Sequence, residues 1–258
     1  MKKVTAFVGS ARKKHTHEAV VRFLSNLQSM GDIEHEIVHL HDYRLEYCKG
    51  CKVCFSKGEE HCPLRDDRDV LIEKMMASDG VIFASPNYSF QMSGIMKTFL
   101  DRLAFAFHRP RFFGKTFTSI VTQGIGLGKK TVDSLDFAGK CLGFSTVKGS
   151  CIKALEPMTD REKQKMDRVL AAQARRYYAR LEKPGPPVPG LLMLMGFRMG
   201  RTNVKLELDD RSRDYTYYAE KGWFESDYFY PTRLGLLKKG AGKLFDSMQA
   251  RSTRARYA

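Results

Sequence analysis

The chain reads as an α/β protein with a doubly wound parallel sheet. Three observations predict this. Short apolar runs suited to buried strands alternate with segments of helical periodicity. The central stretch Val81–Arg102, VIFASPNYSFQMSGIMKTFLDR, passes from such a run through a polar turn into a helix. Two further runs end in comparable polar or glycine-bearing loops, at Gly9-Ser10 and at Gln123-Gly124. In open α/β sheets, ligands sit at the carboxyl ends of the strands.

Taken in order, Val4–Val8 forms the first strand, and Val20, Phe23, Leu24 and Leu27 mark a helix over 19–27. The loop between them carries Ser10, Arg12, Lys13, Lys14, His15, Thr16 and His17. It suits an anion, held by backbone N–H groups, the helix dipole and Arg12. Taken alone, it equally suits an ordinary connection with exposed lysines. Residues 34–40 form the second strand, 42–67 an irregular segment and 69–77 a helix. The central strand is Val81–Ala84, stopped by Ser85-Pro86. Met92, Ile95, Met96, Phe99, Leu100 and Leu103 then recur at helical spacing. Lys97, Asp101 and Arg102 suggest an ion pair on that helix. A fourth strand spans 117–122, a helix 131–142 and a fifth strand 144–152. A long helix runs from Thr159-Asp160 to about Leu181, with Asp160 as its cap.

The segment Pro184-Gly185-Pro186-Pro187-Val188-Pro189-Gly190 cannot be helical and reads as a stiff linker. It divides a domain over 1–183 from an extension over 191–258. The extension holds a short apolar run, an aromatic segment over 214–231 and a basic, apolar stretch over 234–248.

A length of 258 residues suits one large domain with an appendage. The net charge of +15 favours anionic partners: phosphates, a membrane surface or nucleic acid. No apolar stretch approaches the roughly 18 residues that a membrane span needs. The apolar run near the N-terminus is too short for a signal peptide. A cytoplasmic protein is expected.

Four of the six cysteines fall in one run, Cys48, Cys51, Cys54 and Cys62, spaced C-x2-C-x2-C-x7-C. Thiolates at such intervals suit an iron–sulfur cluster or zinc. They also suit a loop of free thiols. Cys141 and Cys151 lie in apolar surroundings and read as buried.

Several of these signals coincide with one family. The chain resembles the NAD(P)H-dependent FMN reductases of the flavodoxin-like fold, in their iron–sulfur flavoprotein branch. The resemblance rests on Gly9-Ser10-Ala11-Arg12, the cysteine run, Asp66-Asp67 and Ser85-Pro86-Asn87-Tyr88. It continues with Gly94-Ile95-Met96-Lys97 and Phe99-Leu100-Asp101-Arg102. These cover roughly residues 1–180 in the family's order. Ala11 stands where the family often has Pro, and His15-Thr16-His17 where it has Gly-Asn-Thr.

The resemblance implies a flavodoxin-like five-stranded parallel sheet of order 2-1-3-4-5. It implies FMN as cofactor, with Ser10, Arg12, Thr16 and His17 on the phosphate. Pro86, Asn87, Tyr88 and Ser89 run along the isoalloxazine, and Thr122, Gln123 and Gly124 cover its other side. Cys48, Cys51, Cys54 and Cys62 become ligands of a [4Fe-4S] cluster. NAD(P)H is the co-substrate, with basic loops leaning toward NADPH. Electrons pass to a quinone-like acceptor or to the cluster, and no side chain need act as acid or base. A homodimer or homotetramer is expected, with the extension as its contact. Nucleic acid is not expected as a partner. The readings from other classes are a flavodoxin-type electron carrier and a membrane-docking module acting through Leu236-Leu237-Lys238-Lys239.

Overall fold

The computed structural model of the protein describes residues 1–257. The chain divides into two compact units. One comprises Met1–Cys48 with Leu64–Pro186, the other Lys49–Pro63 with Pro187–Ala258. The boundary falls inside the Pro/Gly segment. The cysteine-bearing stretch 49–63, however, groups with the extension and not with the domain that precedes it.

The first unit begins with β1 (Lys2–Val8), α1 (His15–Gln28) and β2 (Ile33–His39). The extension's α2 (Val53–Ser56) comes next in the chain, then α3 (Arg68–Met76) and β3 (Gly80–Tyr88). A short β4 (Gln91–Met92), α4 (Gly94–Arg102), α5 (Ala104–His108) and β5 (Thr116–Gln123) follow. The unit closes with α6 (Gly128–Cys141), β6 (Ser145–Thr146), β7 (Ser150–Lys153) and α7 (Asp160–Leu181). The sheet runs β2-β1-β3-β5-β6, with β7 also on β5 and β4 hairpinned onto β3. All pairings are parallel except β3 with β4.

This matches the expected order with two differences. The fifth strand is split into β6 and β7, because the chain lifts off β5 between them. There the Gly149 N–H donates to Asp136 Oδ2 (2.9 Å), and Thr118 Oγ1 donates to the Val147 carbonyl (3.0 Å). A Cβ at Gly149 would lie 2.1 Å from Ser119 Oγ, so only glycine passes. The second difference is the central strand. It does not stop at Ala84 but continues to Tyr88 and turns back. Pro86 is tolerated because Pro86–Thr122 is the last pair of the β3–β5 ladder, where a missing donor breaks no interior bond.

Alternation along the strands sends side chains to both faces. Val4, Ala6, Val8, Ile82, Ala84 and Ile120 meet α1 and α7 on one face. On the other, Phe7 and Phe83 pack with their ring centroids 5.6 and 5.7 Å from that of Phe99 on α4. A sheet covered on both sides in this way needs near-continuous apolar strands. That is why the apolar runs were legible in the sequence.

Helix α7 starts one residue from where its cap was expected. Thr159, not Asp160, is the N-cap, in a reciprocal capping box with Glu162. Lys97 pairs with Asp101 one turn on, as the sequence suggests. Arg102 instead turns inward to Asp66 through two hydrogen bonds of 3.0 and 2.9 Å, with both side chains buried. Asp66 also accepts the Glu46 N–H (3.0 Å), and Asp67 accepts the Arg44 N–H (2.7 Å). These two aspartates hold residues 44–46 against 65–68 and so close the neck of the cysteine-bearing excursion. Burial alone would raise the Asp66 pKa. The Arg102 guanidinium and two backbone N–H groups outweigh it and hold the carboxyl below its ordinary value.

The second unit contains α2, α8 (Leu191–Glu207), α9 (Arg213–Glu220) and α10 (Leu236–Tyr257). Helices α8 and α10 lie side by side in the same direction. Arg198 and Arg201 reach Asp246, and Gln249 reaches Asn203. The aromatic segment makes this unit's own core. Trp223 lies 4.7 Å from Phe229 and 4.9 Å from Tyr218, and Phe197 of α8 lies 4.5 Å from Phe229. Trp223 Nε1 donates to the Phe229 carbonyl (2.9 Å). These rings are therefore buried within one chain. The exposed apolar residues of the unit are others, above all Leu236 and Leu237, 89% and 92% exposed. No helix among the described residues is long and apolar enough to cross a membrane.

Candidate functional site: a cleft at the strand ends

One cleft lies at the carboxyl ends of β1, β3, β5 and β7. Ser10, Arg12 and Thr16 line it from the first loop, and Pro86, Asn87 and Tyr88 from the second. Thr122, Gln123 and Gly124 line it from the third. These nine residues were singled out in the sequence, and the fold brings them together.

The β1–α1 loop builds the anion end. Gly9 brings β1 against the start of α4. A Cβ there would sit 2.7 Å from Ser93 Oγ and 3.0 Å from Met96 Cβ. Ser10 Oγ donates to the Arg12 carbonyl (3.0 Å), which folds the loop back on itself. Helix α1 then begins with no side chain capping its N-terminus. The first N–H groups of a helix lack intrahelical partners and carry its positive dipole end. Thr16 shares a hydrogen bond with Thr122 (Oγ1–Oγ1, 2.7 Å), which joins the first and third loops.

The second and third loops are joined by Asn87. Its Nδ2 donates to the Gly126 carbonyl (3.2 Å), and its Oδ1 accepts from Thr131 Oγ1 (2.7 Å). The Asn87 side chain is thus committed to the scaffold, which leaves its backbone to face a ligand. Gln123 is committed too: its Oε1 accepts the Gly128 N–H at the start of α6 (2.7 Å). Ser89 and Phe90 hold left-handed backbone (φ 48° and 66°) at the tip of the β3–β4 hairpin. Two positive φ values are what a tight two-residue hairpin requires. Tyr88, in the lining, and Phe90, in the hairpin tip beside Ser89, are left half-exposed.

Two expected residues are not in the cleft. Ser89 sits in the hairpin tip, beyond the lining. His17 points to β2, with Nδ1 3.1 Å from His39 Nε2. Burial, then the His39 ring and Lys13, lower the His17 pKa, so it is poorly suited to carry charge for a phosphate. His15 takes its place in the lining. Both His15 ring nitrogens are buried and have no hydrogen-bond partner. Glu18 Oε2 lies 3.9 Å from His15 Nδ1, beyond hydrogen-bond reach, so the ring keeps its hydrogen-bonding capacity for a ligand group.

The reading of the sequence also missed a fourth loop. Ala154 and Glu156 line the cleft, and Glu156 forms an ion pair with Lys14 across it. That pair holds the Glu156 carboxyl below its ordinary value. The signal was available, since this loop follows the fifth strand as the others follow theirs.

The cysteines behave differently. Cys48 and Cys51 are exposed, Cys54 is half-buried and Cys62 is buried. Among the described residues, no three His, Cys, Asp or Glu side chains converge as a metal-holding group. The expected ligand set, Cys48, Cys51, Cys54 and Cys62, is not assembled in this structure. Cys141 and Cys151 are half-buried, and burial pushes both thiols up.

Residues 2–152 match the NADPH-dependent FMN reductase family. The chain belongs to that family. Among its relatives is an iron–sulfur flavoprotein of Archaeoglobus fulgidus, 40% identical over 128 residues, covering 49% of this chain and 56% of the relative. A second iron–sulfur flavoprotein of the same organism is 30% identical over 152 residues, covering 58% and 74%. The match thus spans little more than half the length of the first relative. The fold is shared with an NAD(P)H:quinone oxidoreductase from Methanothermobacter marburgensis. That structure has a TM-score of 0.54 at 18% identity, with 70% of this chain and 98% of that chain covered. The family membership fits the cleft: an uncapped helix start and a histidine whose ring nitrogens make no hydrogen bond at one end, and loop backbone at the other. The residues present suit FMN.

Proposed function

We propose that this chain is an FMN-dependent NAD(P)H oxidoreductase that delivers electrons to a quinone-like acceptor. The observation that carries the reading is the convergence of strand-end loops on one cleft, lined by a half-buried His15 whose ring nitrogens make no hydrogen bond within the protein. Ser10, Arg12, Thr16 and the first N–H groups of α1 would hold the phosphate, with His15 beside them. Residues 86–88 and 122–124 would flank the ring system, fixed by the Asn87 and Gln123 hydrogen bonds. FMN, when bound, supplies the hydride-accepting and electron-passing chemistry. The protein holds the ring between two loops and aims backbone dipoles at it. Tyr88 in the lining offers exposed aromatic surface on which a planar acceptor can stack.

The cysteine run is left outside this path, because its thiols do not converge. We place the extension as the contact of a homo-oligomer, on the strength of its exposed Leu236 and Leu237. The test of the enzyme reading is NAD(P)H oxidation by FMN-saturated protein in the presence of a soluble quinone. Turnover supports the oxidoreductase. Flavin that is bound but never reduced by either nucleotide points instead to a flavodoxin-type carrier.

A further inference from the structure

The first unit holds a second cavity, larger than the flavin cleft. It is a groove of about 600 Å³ between β7 and the first turns of α7, within the range of about 300–1,000 Å³ typical of small-molecule sites. Ile152, Met166 and Val169 supply apolar lining. Lys153, Arg161, Lys165 and Arg168 surround it. The last three follow one another at four- and three-residue steps, so they share a helix face. All four cations are exposed, and none makes an ion pair among the described residues. The nearby carboxylates are engaged elsewhere. Glu162 also lines the groove and feels the charge of Lys153, but its carboxylate is held in the capping box, while Asp160 is paired with Lys163 and Asp167 with Arg22. Among the described residues, β7 pairs only with β5, so its other edge is left with unpaired backbone groups.

An apolar floor, a free strand edge and a concentration of unpaired cations suit a flat base that carries phosphate. The position of the groove narrows the choice. Cys151–Lys153 line it, while Ala154 and Glu156, next in the same chain, line the flavin cleft. At about 3.3–3.6 Å per residue, Lys153 and Glu156 are at most about 11 Å apart. That is a span a dinucleotide bridges.

We infer that this groove binds the 2′-phosphoadenosine end of NADPH, with the nicotinamide end directed to the flavin cleft. The inference rests on the oxidoreductase reading above. It assigns Arg161, Lys165 and Arg168 to the 2′-phosphate, a group that NADH lacks, and so makes the groove the source of nucleotide preference.

The test separates the inference from the reading it rests on. FMN-saturated protein is titrated calorimetrically with 2′,5′-ADP, 5′-AMP and inorganic phosphate. This is done for the wild type and for R161E/K165E, with the milder R161Q/K165Q as a second variant should the first fold poorly. Binding of 2′,5′-ADP at least tenfold tighter than 5′-AMP is expected, with a loss of at least tenfold in either variant. In steady-state assays, the ratio of KM for NADPH to KM for NADH should rise about tenfold in the same variants. Equal binding of 2′,5′-ADP and 5′-AMP overturns the assignment, as does 2′,5′-ADP binding that ignores the substitutions. Inorganic phosphate binding as tightly as 2′,5′-ADP overturns the nucleotide part. Wild-type protein that oxidises neither nucleotide defeats the oxidoreductase reading, and the calorimetry still decides the groove.

Discussion

The flavin cleft and the cysteine-bearing stretch both looked like sites in the sequence, yet the fold treats them in opposite ways. The cleft residues lie in separate loops, and the parallel sheet carries each loop to the same edge. The cysteines lie within 15 residues of one another, yet among the described residues no three of them converge. Position at the end of a parallel strand gathered side chains where proximity in sequence did not. The reason is physical: strand register fixes where a loop emerges, whereas the excursion 49–63 follows its own turns, with left-handed backbone at Gly50, Lys52 and Gly58, and its contacts with the extension.

Breaking the neck between the two regions should have the largest effect. Asp66→Asn leaves Arg102 buried beside a neutral partner, and such losses cost about 3–5 kcal/mol. Urea unfolding at neutral pH measures it. The sign with pH follows from the lowered Asp66 pKa. The stabilisation is fully present above the unfolded-state value of 3.8 and is lost as pH falls through the lower folded-state value. The gap between wild type and variant should therefore narrow in strong acid. A constant gap would mean that Asp66 is not the titrating group.

Next comes the core of the second unit. Trp223→Ala removes a buried ring and a hydrogen bond, at a cost of about 3–5 kcal/mol. If the two regions are separate in energy as in contacts, thermal unfolding should split into two transitions, with FMN affinity changed less than twofold. A single transition with lost FMN binding would contradict that separation.

A smaller effect is expected within the cleft. Arg12→Ala removes an exposed cation from the phosphate end, and charge-assisted hydrogen bonds contribute about 1.5–3 kcal/mol. FMN should bind roughly ten- to a hundredfold more weakly, while His17→Ala, whose ring faces His39, should change FMN affinity far less. Comparable losses in the two variants would restore His17 to the site. Fluorescence titration with FMN reads both.

Least of all, Leu236→Gln with Leu237→Gln should leave stability within about 0.5 kcal/mol, as for surface changes generally. Light scattering should nonetheless show a smaller particle if these leucines are the oligomer contact. An unchanged mass rules them out as that contact.

Much of the first unit was legible because a doubly covered sheet writes itself as apolar runs. The strand ends at Gly9-Ser10, Pro86-Asn87 and Gln123-Gly124 were readable for the same reason. What escaped depended on side-chain direction or on distant partners. His15 and His17 lie two residues apart at the start of one helix, and only packing against His39 shows which faces the cleft. Arg102 could have stayed on its helix face. Its turn toward Asp66 depends on a residue 36 positions away. The β3–β4 hairpin was hidden because Phe90 is not a residue that advertises left-handed backbone.

FMN titration of wild type and Ser10→Glu, followed by flavin fluorescence with melting curves as the control, asks whether the strand-end cleft holds the cofactor. The prediction is one flavin bound per chain in the wild type and none in the variant. The added carboxylate would stand where the phosphate belongs; because Ser10 is buried and holds the Arg12 carbonyl, the melting curves establish that the variant is folded before its flavin occupancy is read. Wild-type protein that binds no flavin, or a variant that binds it as well as wild type, would contradict the placement of the cofactor in this cleft.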